Sequence, residues 1–192
     1  MRCTETGPFI VAKVGGSLYG WPDLGPRLRR WLAAQDTRSI LFVPGGGALA
    51  DAVRDLDTAH RLGEETAHWL ALRTLTIGTH FLAALLPGAV IVEHPEQWRR
   101  EVLTVLDPHA FALADKGRAG ELPHRWSVTS DSVAARAARV ANVRQLVLLK
   151  SVTIPEGTDW HEAARRGWVD EFFADAISEE LKVEAVNLRE YS

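Results

Sequence analysis

Apolar residues along this chain fall into short blocks of about five, each closed by glycine, serine or a charged residue. Between the blocks they return every three or four positions. Phe9-Ile10-Val11-Ala12-Lys13-Val14 is the first block and Ser39-Ile40-Leu41-Phe42-Val43 the second. Unbroken apolar runs of this length, bounded by turn residues, predict strands buried on both faces, and the wider spacing predicts amphipathic helices. Strands are expected at about 9–14, 39–43, 89–93, 125–128, 145–150 and 183–187. Helices are expected at about 24–35, 47–57, 61–86, 131–141, 159–166 and 172–181. The alternation predicts a three-layer α/β/α sandwich around a mostly parallel central sheet. The Gly- and Pro-bearing stretches 20–26, 117–123 and 155–158 read as loops too short to be interdomain linkers, so one domain over 1–192 is expected.

Bulk properties narrow the picture. A chain of 192 residues that is 46% hydrophobic can bury a core. The formal net charge of −3, with no basic tract, argues against nucleic acid as a partner. The longest apolar stretch, around Phe81 to Leu86, falls well short of the roughly twenty residues of a membrane span. The sole cysteine, Cys3, excludes an internal disulfide, and without a signal-peptide pattern the cytoplasm is the expected location. His60 and His68 are too far apart on one helical pattern to chelate on successive turns, and no HExxH or Cys/His cluster occurs, so no structural metal is expected. The apolar-rich pattern over 61–86 exceeds what one small sheet can cover and predicts a homo-oligomer.

Chemistry concentrates where the strands end. The first runs into Lys13-Val14-Gly15-Gly16-Ser17 and the second into Pro44-Gly45-Gly46-Gly47. A strand that breaks into glycines before a helix leaves amides pointing at the positive end of a helix dipole, which suits phosphate. A strand end with a tight turn is the plainer reading of the first motif. Three consecutive glycines are a stronger signal, tolerated where backbone must approach something closely. Neither motif is a Walker A loop, and no G-x-S-x-G elbow occurs. In Trp126-Ser127-Val128-Thr129-Ser130-Asp131-Ser132, Asp131 is either a helix cap, with Ser130, or a carboxylate that orients cations around a transferring phosphoryl group. Ala134, Ala135, Ala137 and Ala138 are expected to pack on the sheet. Lys150 at the end of Gln145–Leu149 either reaches solvent or faces the crevice at the carboxyl edge. Trp126 is the tryptophan expected at a pocket, and Asp170 and Glu171 read, on position alone, as plain helix-start carboxylates.

Taken in order, Lys13-Val14-Gly15-Gly16-Ser17, Val43-Pro44-Gly45-Gly46-Gly47, Thr129-Ser130-Asp131-Ser132-Val133-Ala134-Ala135 and the strand at 146–149 resemble the amino acid kinase family, whose members move the γ-phosphoryl of ATP to a carboxylate or phosphate. The resemblance implies that Lys13 stabilises the transferring phosphoryl, that Gly15, Gly16, Ser17 and Ser130 hold nucleotide phosphates, and that Asp131 organises lysines. It further implies that Gly45, Gly46 and Gly47 hold the acceptor, and that ATP enters with Mg²⁺. Pro123-His124-Arg125-Trp126-Ser127-Val128-Thr129-Ser130-Asp131-Ser132 and Val169-Asp170-Glu171-Phe172-Phe173 are similar to the branch containing the aminomethylfuran-methyl phosphate kinases. That implies a small-molecule phosphomonoester acceptor with a flat ring for Trp126 and an ammonium for Asp170 or Glu171. The chain departs from the family after the fifth strand. Leu149-Lys150-Ser151-Val152 replaces the usual Thr-Asp-Val-Asp-Gly stretch, the late glycine pair followed by lysine has no counterpart, and the C-terminal nucleotide half is shortened. Lys150 is therefore the candidate for the missing catalytic charge. The alternatives are a kinase for another phosphate or carboxylate acceptor, or a non-catalytic relative that binds nucleotide or phosphate.

Overall fold

The computed structural model describes residues 9–37, 39–99 and 102–191; Cys3 lies outside them. Six strands form one sheet: β1 Ile10–Val14, β2 Ile40–Pro44, β3 Val90–Val92, β4 Thr104–Leu106, β5 Gln145–Lys150 and β6 Lys182–Asn187. Their order is β3-β4-β2-β1-β5-β6, and all neighbours are parallel. The helices are α1 Leu24–Ala33, α2 Ala48–His60, α3 Glu64–Leu85, α4 Pro108–Asp115, α5 Ser130–Val140, α6 Trp160–Arg165 and α7 Phe173–Ala176. None is long and apolar enough to cross a membrane, among the described residues.

The two-residue period of a strand decides which side chains meet which helices. Val11, Leu41, Val43, Leu146 and Leu148 join one core with Leu72, Leu75, Phe111 and the alanines of α5. Ile10, Ala12, Val14, Phe42, Val147 and Leu149 join the other with Leu24, Leu28 and Trp31 of α1. Ala134, Ala135, Ala137 and Ala138 are fully buried, and their small side chains let α5 lie close on β1 and β5. Continuing the alternation, Lys13 shares a face with Val11, and Lys150 shares it with Leu146 and Leu148. Both lysines therefore lie on the α5 side at the carboxyl edge. The chain runs from β1 to β2 on one side and later to β5 on the other, so β1 and β5 flank the switch point where open α/β sheets form a crevice.

Several elements differ from the pattern-based expectation. The expected strand over 125–128 is a turn, closed by Val128 N–H donating to the Arg125 carbonyl at 3.1 Å. The fourth strand is instead Thr104–Leu106, too short to announce itself by alternation. It is followed by α4, which sequence patterning also missed although Asp107-Pro108 is a helix-start signal. The Asp107 carboxylate accepts from the amides of His109 and Ala110. The expected helix over 61–86 begins at Glu64, because α2 continues to His60 and ends at Arg61 in the left-handed region (φ 54°). The expected helix over 172–181 shrinks to Phe173–Ala176.

Candidate active site

The glycine motifs first serve one another. A Cβ on Gly16 would lie 2.2 Å from the Gly47 nitrogen, and one on Gly45 would lie 2.4 Å from the Gly16 nitrogen. Gly47 also has φ +54°. The close approach that three consecutive glycines announce is thus, in the first instance, the turn after β2 pressed against the turn after β1. Gly15 is not available to a ligand through its amide, since its N–H donates to the Leu149 carbonyl at 2.8 Å and continues the ladder to β5. The amides of Gly16, Ser17, Gly46 and Gly47 have no protein acceptor among the described residues. They lie at the rim of a cleft of about 860 Å³. Ser17 Oγ meets Ser151 Oγ at 2.8 Å, which ties the first turn to the end of β5.

At the floor of this cleft Asp131 bridges both lysines. Lys13 Nζ lies 2.9 Å from Asp131 Oδ1, and Lys150 Nζ lies 2.8 Å from the same oxygen and 3.0 Å from Oδ2. All three residues are buried. Burial alone would raise the pKa of Asp131, but the adjacent Lys13 and Lys150 outweigh it and hold the carboxyl at about 2. Burial pulls Lys150 down to about 8, against the attraction of Asp131 and with the repulsion of Lys13. Asp131 sits in the first turn of α5, which begins at Ser130, one residue before the expected helix.

Of the other expected site residues, Gly15, Gly16, Ser17, Gly46, Gly47, Trp126, Ser130, Asp170 and Glu171 line the cleft, whereas Gly45 is buried behind it. The Trp126 indole N–H donates to Asp57 Oδ2 at 2.8 Å, and the Arg54 guanidinium lies 5.0 Å over its ring. Asp170 does not present a free carboxylate. It accepts from the amide and hydroxyl of Thr129 at 3.1 and 3.0 Å, from the Ser132 amide at 2.9 Å, and from the Ser132 hydroxyl. Burial, together with the nearby charge of Asp131, raises its pKa. Glu171 is exposed at the rim.

Sequence reasoning missed Arg54, His68 and Ser151 on the cleft wall. His68 is held down to about pKa 4 by burial and by His124, so it is neutral at pH 7. Its Nδ1 lies 3.3 Å from the Arg125 carbonyl, which places the proton on that nitrogen. A lone histidine on an apolar helix face carries no signal of this kind. Arg54 could have been found only by tracing α2 seven residues past Gly47, back to the same helix face.

Replacing Asp57 by alanine is expected to cost about 1 kcal/mol, because it removes the acceptor of the Trp126 indole. Thermal melts measure the loss. Ligand titration should show weaker binding at the α2 wall and unchanged binding at the β1 turn.

The protein is an open parallel sheet with a glycine-walled cleft at its switch point, where open α/β sheets bind ligands, and that cleft holds Lys13, Arg54 and Lys150 together with several carboxylates. No family model matches the chain. It is 25% identical over 148 residues to the 5-(aminomethyl)furan-3-ylmethyl phosphate kinase of Methanocaldococcus jannaschii, a match covering 74% of this chain and 65% of that protein. The match thus spans slightly less than two thirds of the relative's length. Among solved structures, uridylate kinase from Archaeoglobus fulgidus superimposes with a TM-score of 0.64 at 14% identity, covering 93% of this chain and 90% of that one. UMP kinase from Ureaplasma parvum gives 0.62 at 13% identity, covering 96% and 92%. The fold is the one these kinases share.

Proposed function

We propose that this protein is an ATP-dependent small-molecule kinase that transfers the γ-phosphoryl group to a phosphomonoester. The acceptor proposed is 5-(aminomethyl)furan-3-ylmethyl phosphate, the compound in the name of the M. jannaschii relative. The observation that carries the reading is the Lys13–Asp131–Lys150 bridge at the sheet switch point, between two turns with free amides.

In this reading the acceptor phosphate oxygen attacks the γ-phosphorus, the bond to the β-bridging oxygen breaks, and ADP departs. Negative charge on the peripheral oxygens is matched by Lys13 and Lys150, whose positions Asp131 fixes before substrate arrives, so little reorganisation is needed. The amides of Gly16 and Ser17 take nucleotide phosphate, with the Ser17 and Ser151 hydroxyls beside them. Those of Gly46 and Gly47, at the start of α2, take the acceptor phosphate. Trp126 and Arg54 wall the acceptor side, and Glu171, exposed at the rim, rather than the hydrogen-bonded Asp170, is the one of that pair proposed for its ammonium. The donor set of cations and amides fits a triphosphate, and Mg²⁺ bound to ATP would neutralise β- and γ-phosphate charge.

³¹P NMR with Mg-ATP and the aminomethylfuran phosphate tests the reading, with aspartate, acetylglutamate and isopentenyl phosphate as controls. A new diphosphate signal, with ADP, is expected in the furan sample alone. Product in a control tube would reassign the acceptor, and ATP binding without product in any tube would refute catalysis.

A further inference from the structure

We propose that Asp170 is a positioning residue that aims Asp131 at the two lysines, rather than a ligand of the acceptor's ammonium. The inference rests on the kinase reading for its kinetic consequence but not for its structural one.

The first amides of a helix have no intrahelical partner. At the start of α5, Thr129 occupies the capping position but makes no side-chain cap. Asp170, from the segment between α6 and α7, takes over that function from 38 to 41 residues away. Its acceptor bonds fall on Thr129 and Ser132, the residues on either side of Ser130-Asp131. Three of these four donors converge on Oδ2 and the Ser132 hydroxyl takes Oδ1, so at most one of the carboxylate's roughly four acceptor sites is left, and the bonds on the helix start fix its orientation. The segment bearing Asp170 is itself anchored. Val169 and Phe173 are buried in the core, and the Phe172 amide donates to the Ser127 carbonyl at 3.1 Å. Asp170 thus connects a fixed segment to the turn that carries Asp131.

The charged groups facing Lys150 are Asp131 from α5 and Lys13 from β1; Asp170 acts on Asp131 and not directly on Lys150. A change at Lys150 on altering Asp170 must therefore pass through Asp131. The chain's lysines are Lys13, Lys116, Lys150 and Lys182, few enough for isotope-labelled lysine NMR on the ligand-free protein.

In Asp170→Asn the titration of Lys150 should move to lower pH as Asp131 withdraws, with Lys116 and Lys182 unchanged. In turnover assays with Mg-ATP and the aminomethylfuran phosphate, kcat should fall by about 10- to 100-fold while both KM values stay within about twofold. An unchanged or raised Lys150 titration in the folded variant overturns the proposal. So does a rise in acceptor KM at unaltered kcat, which is the signature of an ammonium ligand. Should Asp170→Asn not fold, Thr129→Val and Ser132→Ala each remove one hydroxyl donor and keep the carboxylate. Each should give a smaller downward shift of Lys150, and no shift in either overturns the proposal. Because the NMR readout needs no substrate, a wild-type protein without kinase activity would refute the function while a shifted Lys150 still supported this inference.

Discussion

Lys150→Met is expected to lower kcat by about 10²- to 10³-fold, the range seen when one preorganised charge-stabilising donor is removed. Methionine keeps most of the side-chain volume, so β5 and its neighbours should stay packed. Asp131 retains Lys13 at 2.9 Å, so no buried carboxylate is left alone. The free amides that would hold the phosphates are untouched, and the KM for ATP should change little. Initial rates and a thermal melt on the same preparation decide the matter. A folded variant within about threefold of wild-type kcat would show that the charge at the end of β5 has no part in transfer. The pH dependence gives a second signature. Lys150 titrates at about 8 in the folded protein and near the ordinary lysine value when unfolded, so between these values the unfolded chain binds more protons. This group's contribution to stability therefore rises with pH through that window, while the ammonium needed for transfer is lost. In kcat/KM, which reports the free enzyme, activity should fall above about pH 8 without a matching fall in melting temperature from this group. Lys150→Met should lack that alkaline limb.

What could be read from the sequence was whatever is written within one contiguous stretch. The runs at 9–14, 39–43 and 145–150 are long, apolar and closed by turn residues, and they are the three central strands, where burial on both faces demands such composition. The sequence pattern also marked Lys13, Asp131 and Lys150 separately, but not that one carboxylate holds both lysines. That depends on the strand order β2-β1-β5 and on the shared face of positions 13 and 150. The turn at 125–128 was misread because Trp126 and Val128 alternate with polar residues as a strand would, while each is held by a different partner. Trp126 hydrogen-bonds to Asp57 on α2, and Val128 is buried beside the start of α5. Asp170 illustrates the limit most clearly. A local reading makes it a helix-start carboxylate, and it is one, but for a helix that begins 40 residues earlier than its own position.

The largest loss of stability is expected from Asp131→Ala. Lys13 and Lys150 both lie within 3 Å of the same carboxylate oxygen, so their ammonium groups are close neighbours whose mutual repulsion Asp131 alone offsets, among the described residues. Both are nearly inaccessible to water, at 5% and 7% exposure. Removing one partner of a buried ion pair costs about 3–5 kcal/mol, chiefly through the charge left behind, and here two like charges remain. Asp131→Ala should therefore destabilise the protein by at least that amount, and no turnover should be detectable. Asp131→Asn keeps the shape and one acceptor oxygen and should be intermediate in stability while still losing the lysine alignment. The loss should depend on pH in both directions. In the wild type the folded pKa of Asp131 is depressed to about 2, so its contribution is fully present above the ordinary carboxyl value near 4 and is lost as the pH falls toward 2. The variant has no such limb, and the stability curves of the two proteins should converge in acid. In the variant Lys150 has lost the carboxylate that raises its pKa, so it sheds its proton below about pH 8, and the gap should narrow as the pH rises toward that value, where the wild-type lysine loses its proton too. Denaturant unfolding of both proteins from acid to alkaline pH measures the gap directly. A gap that is largest between the acid and alkaline limbs and narrows toward both is the behaviour of two buried cations held by one carboxylate. A flat gap would mean that Asp131 stabilises α5 by packing rather than by charge.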